Sequence, residues 1–182
     1  RVESLLALSP YQGDLDYATN FMGKEAGSDP NIFETEIHSG VYRGTILIEL
    51  DRIGSGQGFE EDGELGNEEK AKRAKAFLDA FRNLWSSGRQ TRFLADISPK
   101  FIAAAYMKVK NPIFLESVTL NGNGELNIEE LRTVEKDYND YIESYVFAAQ
   151  KATFKTSTDD VKDLGEGFDK INSWVDQHYQ TL

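Results

Sequence analysis

The chain has 182 residues, 40% of them hydrophobic and 28% charged, with a net charge of −11. This composition is typical of one globular domain, and no apolar run approaches the roughly 20 residues that cross a bilayer. The absence of cysteine excludes disulfides and thiolate metal sites, which suits a cytoplasmic protein. We therefore expect a single domain, 1–182, with no membrane partner.

Charge is unevenly distributed along the chain. Residues 1–67 carry a net charge of −9, residues 68–110 carry +6, and residues 111–182 carry −8. Because phosphate binding depends on Lys and Arg, a basic centre between acidic flanks permits a local polyanion groove on an acidic protein. A solvated helix face explains the same segregation, and both interpretations stay open.

The first forty residues contain turn-formers at short intervals, from Pro10 to Gly40. Short apolar fragments between them predict an extended excursion or hairpin rather than a packed helix. Val41–Leu50 alternates between apolar and mixed positions and predicts a ten-residue strand. The side chains on its apolar face are Tyr42, Ile46, Ile48 and Leu50. Gly54–Gly66 lacks both the phosphate-loop and the dinucleotide-binding spacing, so it is interpreted as a surface loop.

A helix is predicted to begin with Asn67 as its cap and to end at Ser86–Gly88. Its core stripe is predicted to include the aromatic residues Phe77, Phe81 and Trp85. Strands are predicted over Phe101–Val109 and, after Pro112, over Ile113–Leu120. The order strand, helix, strand, strand predicts an α+β fold, consistent with part of a ferredoxin-like layout.

The segment Thr119–Glu130 resembles a twelve-residue calcium loop, although Thr119 stands where aspartate is expected. Its matching positions are Asn121, Asn123, Gly124, Asn127 and Glu130. An Asn-Gly turn followed by a capping box explains the same residues, and we prefer it; no metal site is predicted. An amphipathic helix is then predicted from Leu131 to Tyr145, and a last helix from Thr158 to His178.

Catalytic motifs are not found in the sequence. The histidines, His38 and His178, are far apart, and neither lies near a serine–aspartate pattern or a zinc-binding helix motif. The many carboxylates form no recognisable acid–base pair. We therefore predict that the protein is not an enzyme and uses no cofactor.

Four segments occur in the order and rough spacing of a known family. They are SPYQGDLDYATN, NIFETEIHSGVYRGTILIELDRIG, TRFLADISPKFIAAAYMKV and KNPIFLESV. Over roughly residues 1–130 the chain resembles the DevR-type autoregulator family. Members of that family are the repeated backbone subunit of type I CRISPR interference (Cascade) complexes, and the likeness is greatest to the type I-B branch.

This resemblance implies a partial ferredoxin-like, RRM-like palm with a thumb-like β-hairpin and C-terminal helices. The thumb-like excursion would be 1–40, the palm 41–130 and the helical tail 131–182. It implies binding of CRISPR RNA, a head-to-tail filament of copies, contact with other CRISPR complex subunits, and indirect contact with target DNA. Family members begin with a further strand and helix, which would precede Arg1.

The resemblance also implies RNA-binding residues. Lys24 and Asn31 would lie near the thumb, with His38 at its base and Arg43 on the following strand. Arg89 and Arg92 would be further backbone contacts. Residue chemistry allows other roles: His38 as a hydrogen bonder where the strand begins, Arg43 as a partner of Glu49 or another acid, and Arg89 and Arg92 as cations at a helix C-terminus.

A different class of function fits the chain as well. The protein would then bind no RNA and would act as a protein-interaction or structural fragment that completes its sheet with another chain.

Overall fold

The computed structural model describes residues 1–10, 12–20, 31–55, 65–87, 94–156, 158 and 160–180, with the backbone alone at 19, 20 and 31. The strands are β1 (Leu6–Ala7), β2 (Gly13–Asn20), β3 (Asn31–His38), β4 (Tyr42–Arg43), β5 (Phe101–Met107), β6 (Ile142–Ala149) and β7 (Lys162–Asp163). The α-helices are α1 (Asn67–Arg82), α2 (Ile128–Asp137) and α3 (Leu164–Gln180). The chain divides into two compact units, Glu3–Gly44 and Arg1–Val2 with Thr45–Leu182.

The smaller unit contains an antiparallel hairpin of β2 and β3. Gly13 pairs with His38 at one end, and Asn20 pairs with Asn31 at the other. A second pair, β1 with β4, aligns Leu6 with Arg43. The hairpin predicted for this part of the chain is confirmed.

The ten-residue strand predicted over Val41–Leu50 is wrong in its extent. β4 contains two residues, an isolated bridge joins Ile46 to Val2, and a 3-10 turn occupies Leu50–Arg52. The two segments differ in length between their paired residues. Leu6 and Val2 are four residues apart, whereas their partners Arg43 and Ile46 are three residues apart. One extra residue interrupts a regular ladder.

The larger unit contains a three-stranded sheet with β6 in the centre. β5 pairs antiparallel with β6, and β7 pairs parallel with β6 on the other side. The strand predicted over Phe101–Val109 is confirmed as β5, which ends two residues earlier at Met107, and the α+β fold class is confirmed as well. Within the described ranges, no helix combines the length and apolar character needed to span a membrane.

Helices α1 and α3 pack together, and α3 covers one face of this sheet. A Cβ at Gly167 would overlap the methyl group of Ala148 on β6, so glycine allows the helix to approach the strand closely. The buried cluster between the two helices consists of Ala74, Leu78, Val175 and Tyr179. Ile48 and Leu50 pack against it, as their predicted apolar face requires.

The opposite face of the sheet is also covered. Phe147 neighbours Ala148 on β6 and therefore points the other way. Its ring lies edge-to-face with Phe114 at 5.5 Å. Burial on both faces explains why Val146–Ala149 is an uninterrupted apolar run of four buried residues.

The strand predicted over Ile113–Leu120 is wrong. Leu115 N–H donates to Pro112 O at 3.0 Å and Ser117 N–H donates to Phe114 O at 3.2 Å, which makes this segment a run of turns. Local bonds of this kind use the backbone groups that a strand would offer to a neighbour. Burial of Phe114, which is 8% exposed, holds the turns against the sheet.

The helix predicted from Leu131 to Tyr145 is wrong in its second half. α2 ends at Asp137, and a 3-10 turn at Asn139–Tyr141 leads into β6. Residues 138, 141, 142 and 145 fit helical spacing, but pairing with β5 decides their conformation. The last helix begins at Leu164 rather than at Thr158, because β7 precedes it.

Helix α1 is confirmed, but its predicted core stripe is partly wrong. The buried positions are Lys70, Ala74 and Leu78, spaced four residues apart. Phe77 is one position off this stripe and 43% exposed. Trp85 lies beyond the helix end and is 69% exposed. Asn67 is the first helical residue rather than the cap, and its amide nitrogen donates to Tyr179 O at 3.1 Å.

The Asn-Gly turn predicted before α2 is confirmed. Asn121 Oδ1 accepts from Asn123 N–H at 2.9 Å and from Glu125 N–H at 3.0 Å, while Gly124 adopts a φ of 76°. The predicted capping box is wrong, since the Asn127 side chain makes no cap bond and Glu130 instead accepts from Thr119 Oγ1 at 2.5 Å. Among the described residues, no group of three acidic, His or Cys side chains is placed to hold a metal.

Candidate RNA interface

The described candidate residues lie at the base of the hairpin in the smaller unit. His38 is the last residue of β3, and its half-buried ring meets Tyr42 edge-to-face at 5.7 Å. Gly40 closes the corner tightly, since a Cβ there would lie 3.1 Å from Ser9 Oγ and 3.2 Å from His38 Nε2. Arg43 follows on β4 and is also half-buried. We call Ser9, His38, Gly40, Tyr42 and Arg43 the hairpin base.

The other candidates are less well placed. Asn31 begins β3 opposite Asn20, and only its backbone is described. Lys24, Arg89 and Arg92 lie outside the described residues. Glu49, one of the acids that the sequence offered as a partner of Arg43, forms ion pairs with Arg1 and Lys110.

The paired strands of the hairpin are acidic and partly apolar. Antiparallel partners share a face, so Asp14 and Asp16 lie on one face and Glu34 and Glu36 lie on the other with His38. Neither β2 nor β3 contains a lysine or arginine. Exposed apolar side chains accompany these acids: Leu15, Tyr17, Ile32 and Phe33. Such strands repel phosphate, so the phosphate groups of a polyanion would be attracted to the hairpin base and not to the strands.

Most described cations of the basic segment have acidic or aromatic partners, which the sequence did not reveal. Arg73 pairs with Glu69 at 2.9 Å, and Arg82 lies 5.6 Å from the centre of the Phe168 ring. Further ion pairs among the described residues join Lys75 to Asp176, Lys100 to Asp96, and Lys110 to both Glu49 and Asp51. These partners reduce the positive charge that residues 68–110, with their net charge of +6, could offer to phosphate. Arg89 and Arg92 of this segment lie outside the described residues.

A tight polar turn precedes β5, in the segment that follows Arg92. Asp96 accepts from Ser98 N–H at 3.0 Å, from the Ser98 hydroxyl and from Lys100. The bond from Lys100, and then those from Ser98, hold the pKa of the Asp96 carboxyl well below its usual range. Leu94, just before this turn, has a positive φ of 42° and is 86% exposed. Residues with a bulky side chain rarely adopt this left-handed backbone conformation.

An ion cluster joins Glu49 to Lys110 at 3.0 Å and to Arg1 at 3.0 Å, while Lys110 also reaches Asp51 at 2.7 Å. The hydrogen bond from Lys110 lowers the pKa of both carboxyls, and the same bonds raise the pKa of Lys110. A lowered acid pKa stabilises the folded state above the ordinary values of 4.5 and 3.8. That stabilisation is lost as the pH falls through the lower, folded-state values.

We therefore expect Glu49→Gln to destabilise the protein at pH 7 and to have a smaller effect near pH 3, in urea unfolding monitored by circular dichroism at both pH values. Glu34→Gln, on an exposed strand of the hairpin, is the control and should change stability little at either pH. An equal loss from Glu49→Gln at both pH values would contradict the electrostatic role.

Comparison with known proteins identifies the family. Residues 16–127 match the family model described as CRISPR-associated negative auto-regulator DevR/Csa2. The chain belongs to the DevR/Csa2 family. The match covers more than half of the chain and includes most of β2, all of β3, α1 and β5.

A similar solved structure comes from a protein described as a CRISPR RNA-guided surveillance complex. It superposes with a TM-score of 0.57 at 17% sequence identity, over 95% of this chain and 70% of that chain. At this identity the likeness concerns the fold. A search of curated proteins found no match. Together the comparisons make this DevR/Csa2 chain a CRISPR-associated protein with the fold of a surveillance-complex subunit.

Proposed function

We propose that the protein is a non-enzymatic backbone subunit that binds CRISPR RNA in a multi-subunit antiviral complex in the cytoplasm. The observation that carries this proposal is the DevR/Csa2 match over residues 16–127, a range that contains β3, most of β2, and His38 and Arg43 of the hairpin base. The likeness in fold to a chain of an RNA-guided complex supports it. Copies of the protein would line the RNA head to tail, beside other complex subunits, and would contact target DNA only indirectly.

The proposed contacts to the RNA backbone are Lys24, Asn31, His38, Arg43, Arg89 and Arg92. His38 and Arg43 belong to one end of the hairpin, where the acidic strands terminate. In this arrangement phosphate would be held at the hairpin base. The exposed apolar side chains Leu15 and Tyr17 would pack against unstacked bases, which accept such contacts irrespective of sequence.

Binding of single-stranded RNA should therefore fall steeply with salt concentration. Each phosphate contact to a single strand contributes about 0.7 to the slope of log K against log salt, so the double variant Arg43→Ala and Arg92→Ala should flatten the slope by about 1.4. Fluorescence anisotropy with a labelled single-stranded RNA, titrated at several salt concentrations, measures this slope.

Arg73→Ala is the matched control, because Arg73 is an exposed cation that already pairs with Glu69 on its own helix. It should leave the slope nearly unchanged. The proposal fails if the wild-type protein binds no RNA at low salt, or if Arg73→Ala flattens the slope as much as the double variant does.

A further inference from the structure

Two consecutive Asn-Gly pairs lie in the turn that precedes α2. They are Asn121 with Gly122 and Asn123 with Gly124, and all four residues are exposed. Asparagine is chemically labile in proteins, and a following glycine favours loss of its side-chain amide because no side chain shields the backbone nitrogen. A Cβ built at either glycine would meet no atom of a described residue within 4 Å, so the space beside both is open. The turn therefore contains two candidate sites for one reaction.

The reaction is an intramolecular condensation between the asparagine side chain and the peptide bond that follows it. The backbone nitrogen of the glycine gives up its proton and bonds to the side-chain carbon Cγ. The bond from Cγ to Nδ2 breaks, ammonia leaves with that proton, and a succinimide ring remains. Water, the only co-reactant, then opens the ring at either carbonyl group and yields aspartate or isoaspartate, in which the main chain runs through Cγ. Ring closure requires that Cγ turn toward the nitrogen of the next residue.

Three hydrogen bonds fix the side chain of Asn121. Its Oδ1 accepts from Asn123 N–H at 2.9 Å and from Glu125 N–H at 3.0 Å. Its Nδ2 donates to Glu125 Oε2 at 3.0 Å. Both ends of the amide are thus bonded, as in other turns that an asparagine side chain stabilises. These bonds oppose rotation of Cγ toward the Gly122 nitrogen, so ring closure at Asn121 first requires that they open.

The side chain of Asn123 has no such restraint. Its backbone N–H bonds to Asn121, but its side-chain amide forms no hydrogen bond with a described residue. The attacking nitrogen, that of Gly124, donates its N–H to Asn121 O at 2.9 Å. This backbone bond lies in an exposed turn and has to open before attack. Asn123 therefore has one hydrogen bond to open where Asn121 has three.

The turn is anchored at its base, which keeps the bonds of Asn121 in place. Asn121 N–H donates to Glu125 O at 2.9 Å, and Asn127 N–H donates to Thr119 O at 3.1 Å. Leu126, which lies between these bonds, is 7% exposed. Protection of Asn121 is therefore a property of the fold. A short peptide with the same sequence lacks it, because an isolated hairpin has little stability in water.

We propose that Asn123 is a site of spontaneous deamidation, whereas the turn protects Asn121 from the same reaction. Aspartate at position 123 adds a negative charge to a turn that already contains Glu125. Isoaspartate lengthens the main chain before Gly124, which breaks the bond from its N–H to Asn121 O. The protein thus accumulates an altered and more acidic turn as it ages. The inference concerns the turn alone and does not depend on RNA binding.

Peptide mapping of the folded protein tests the inference. The protein is incubated at mildly alkaline pH, digested with pepsin in acid, and analysed by liquid chromatography and mass spectrometry against synthetic aspartate and isoaspartate standards. A synthetic peptide covering residues 118–127 is the unfolded reference, and both of its asparagines should convert at comparable rates. In the protein, Asn121 should convert more slowly than Asn123 by a factor of about ten or more, which corresponds to about 1.4 kcal/mol for opening its additional hydrogen bonds.

Two variants test whether the bonds of the turn cause this protection. Glu125→Ala removes the acceptor for Asn121 Nδ2, so it should raise the rate at Asn121 severalfold and leave the rate at Asn123 unchanged. Glu129→Ala is the matched control, because Glu129 pairs with Arg132 on α2, and it should change neither rate.

Asn123→Gln should remove the conversion at this position, because ring closure through a longer side chain is far slower. Equal rates at Asn121 and Asn123 in the folded protein would overturn the inference. So would an intact Asn123 at a time when the reference peptide has fully converted, or an acceleration of Asn121 by Glu129→Ala that equals the one by Glu125→Ala.

Discussion

Phe168→Ala is expected to lower the free energy of unfolding by about 3–5 kcal/mol. Phe168 is 1% exposed and is among the largest fully buried side chains described. Its ring meets Phe81 edge-to-face at 6.2 Å and lies 5.6 Å from the Arg82 guanidinium carbon. Truncation removes the transfer free energy of the ring, leaves a cavity between α1 and α3, and deprives Arg82 of its aromatic partner.

Urea unfolding monitored by tryptophan fluorescence measures this loss, with Phe77→Ala as the matched control. Phe77 lies on α1 and is 43% exposed, so its truncation should change stability by about 0.5 kcal/mol. Comparable losses from the two variants would mean that α1 buries a different face. In that case the core stripe expected from the sequence, which includes Phe77, would be right after all.

Local signals in the sequence were sufficient to predict secondary structure where they all favoured one type of element. The Gly- and Pro-rich first forty residues predicted the hairpin, and helical spacing from Asn67 onward predicted α1. These signals failed where the same residues fitted both the spacing of a helix and the pattern of a strand. Tyr138, Ile142 and Tyr145 are spaced as on a helix, yet Ile142–Ala149 is a strand because β5 supplies hydrogen-bond partners for it.

The candidate interface was predictable only in part. The order of motifs indicated the family, and the structure places His38 and Arg43 in the same compact unit at the hairpin base. The pairing of cations could not be read from the sequence. Lys75 meets Asp176 and Lys110 meets Glu49 across long stretches of chain, and such neighbours are decided by tertiary packing. Net charge by segment therefore overstated the positive surface available to phosphate.

Adding a single methyl group at Gly167, as in Gly167→Ala, is expected to disrupt the contact between α3 and β6. A Cβ at this position would overlap Ala148, whose residue is 0% exposed and whose backbone is fixed between β5 and β7. Neither partner can rotate away, so the helix itself must shift. Overpacking of this kind costs about 1–3 kcal/mol, which exceeds the gain of up to about 1 kcal/mol from replacing a helical glycine with alanine.

Gly165→Ala is the matched control, two residues earlier on the same helix. Its nearest neighbour would be the end of the flexible Arg82 side chain at 3.5 Å, an ordinary contact. The two substitutions should therefore have opposite signs in thermal unfolding, with Gly165→Ala raising Tm and Gly167→Ala lowering it. If both raise Tm, α3 does not approach β6 closely enough to need a glycine.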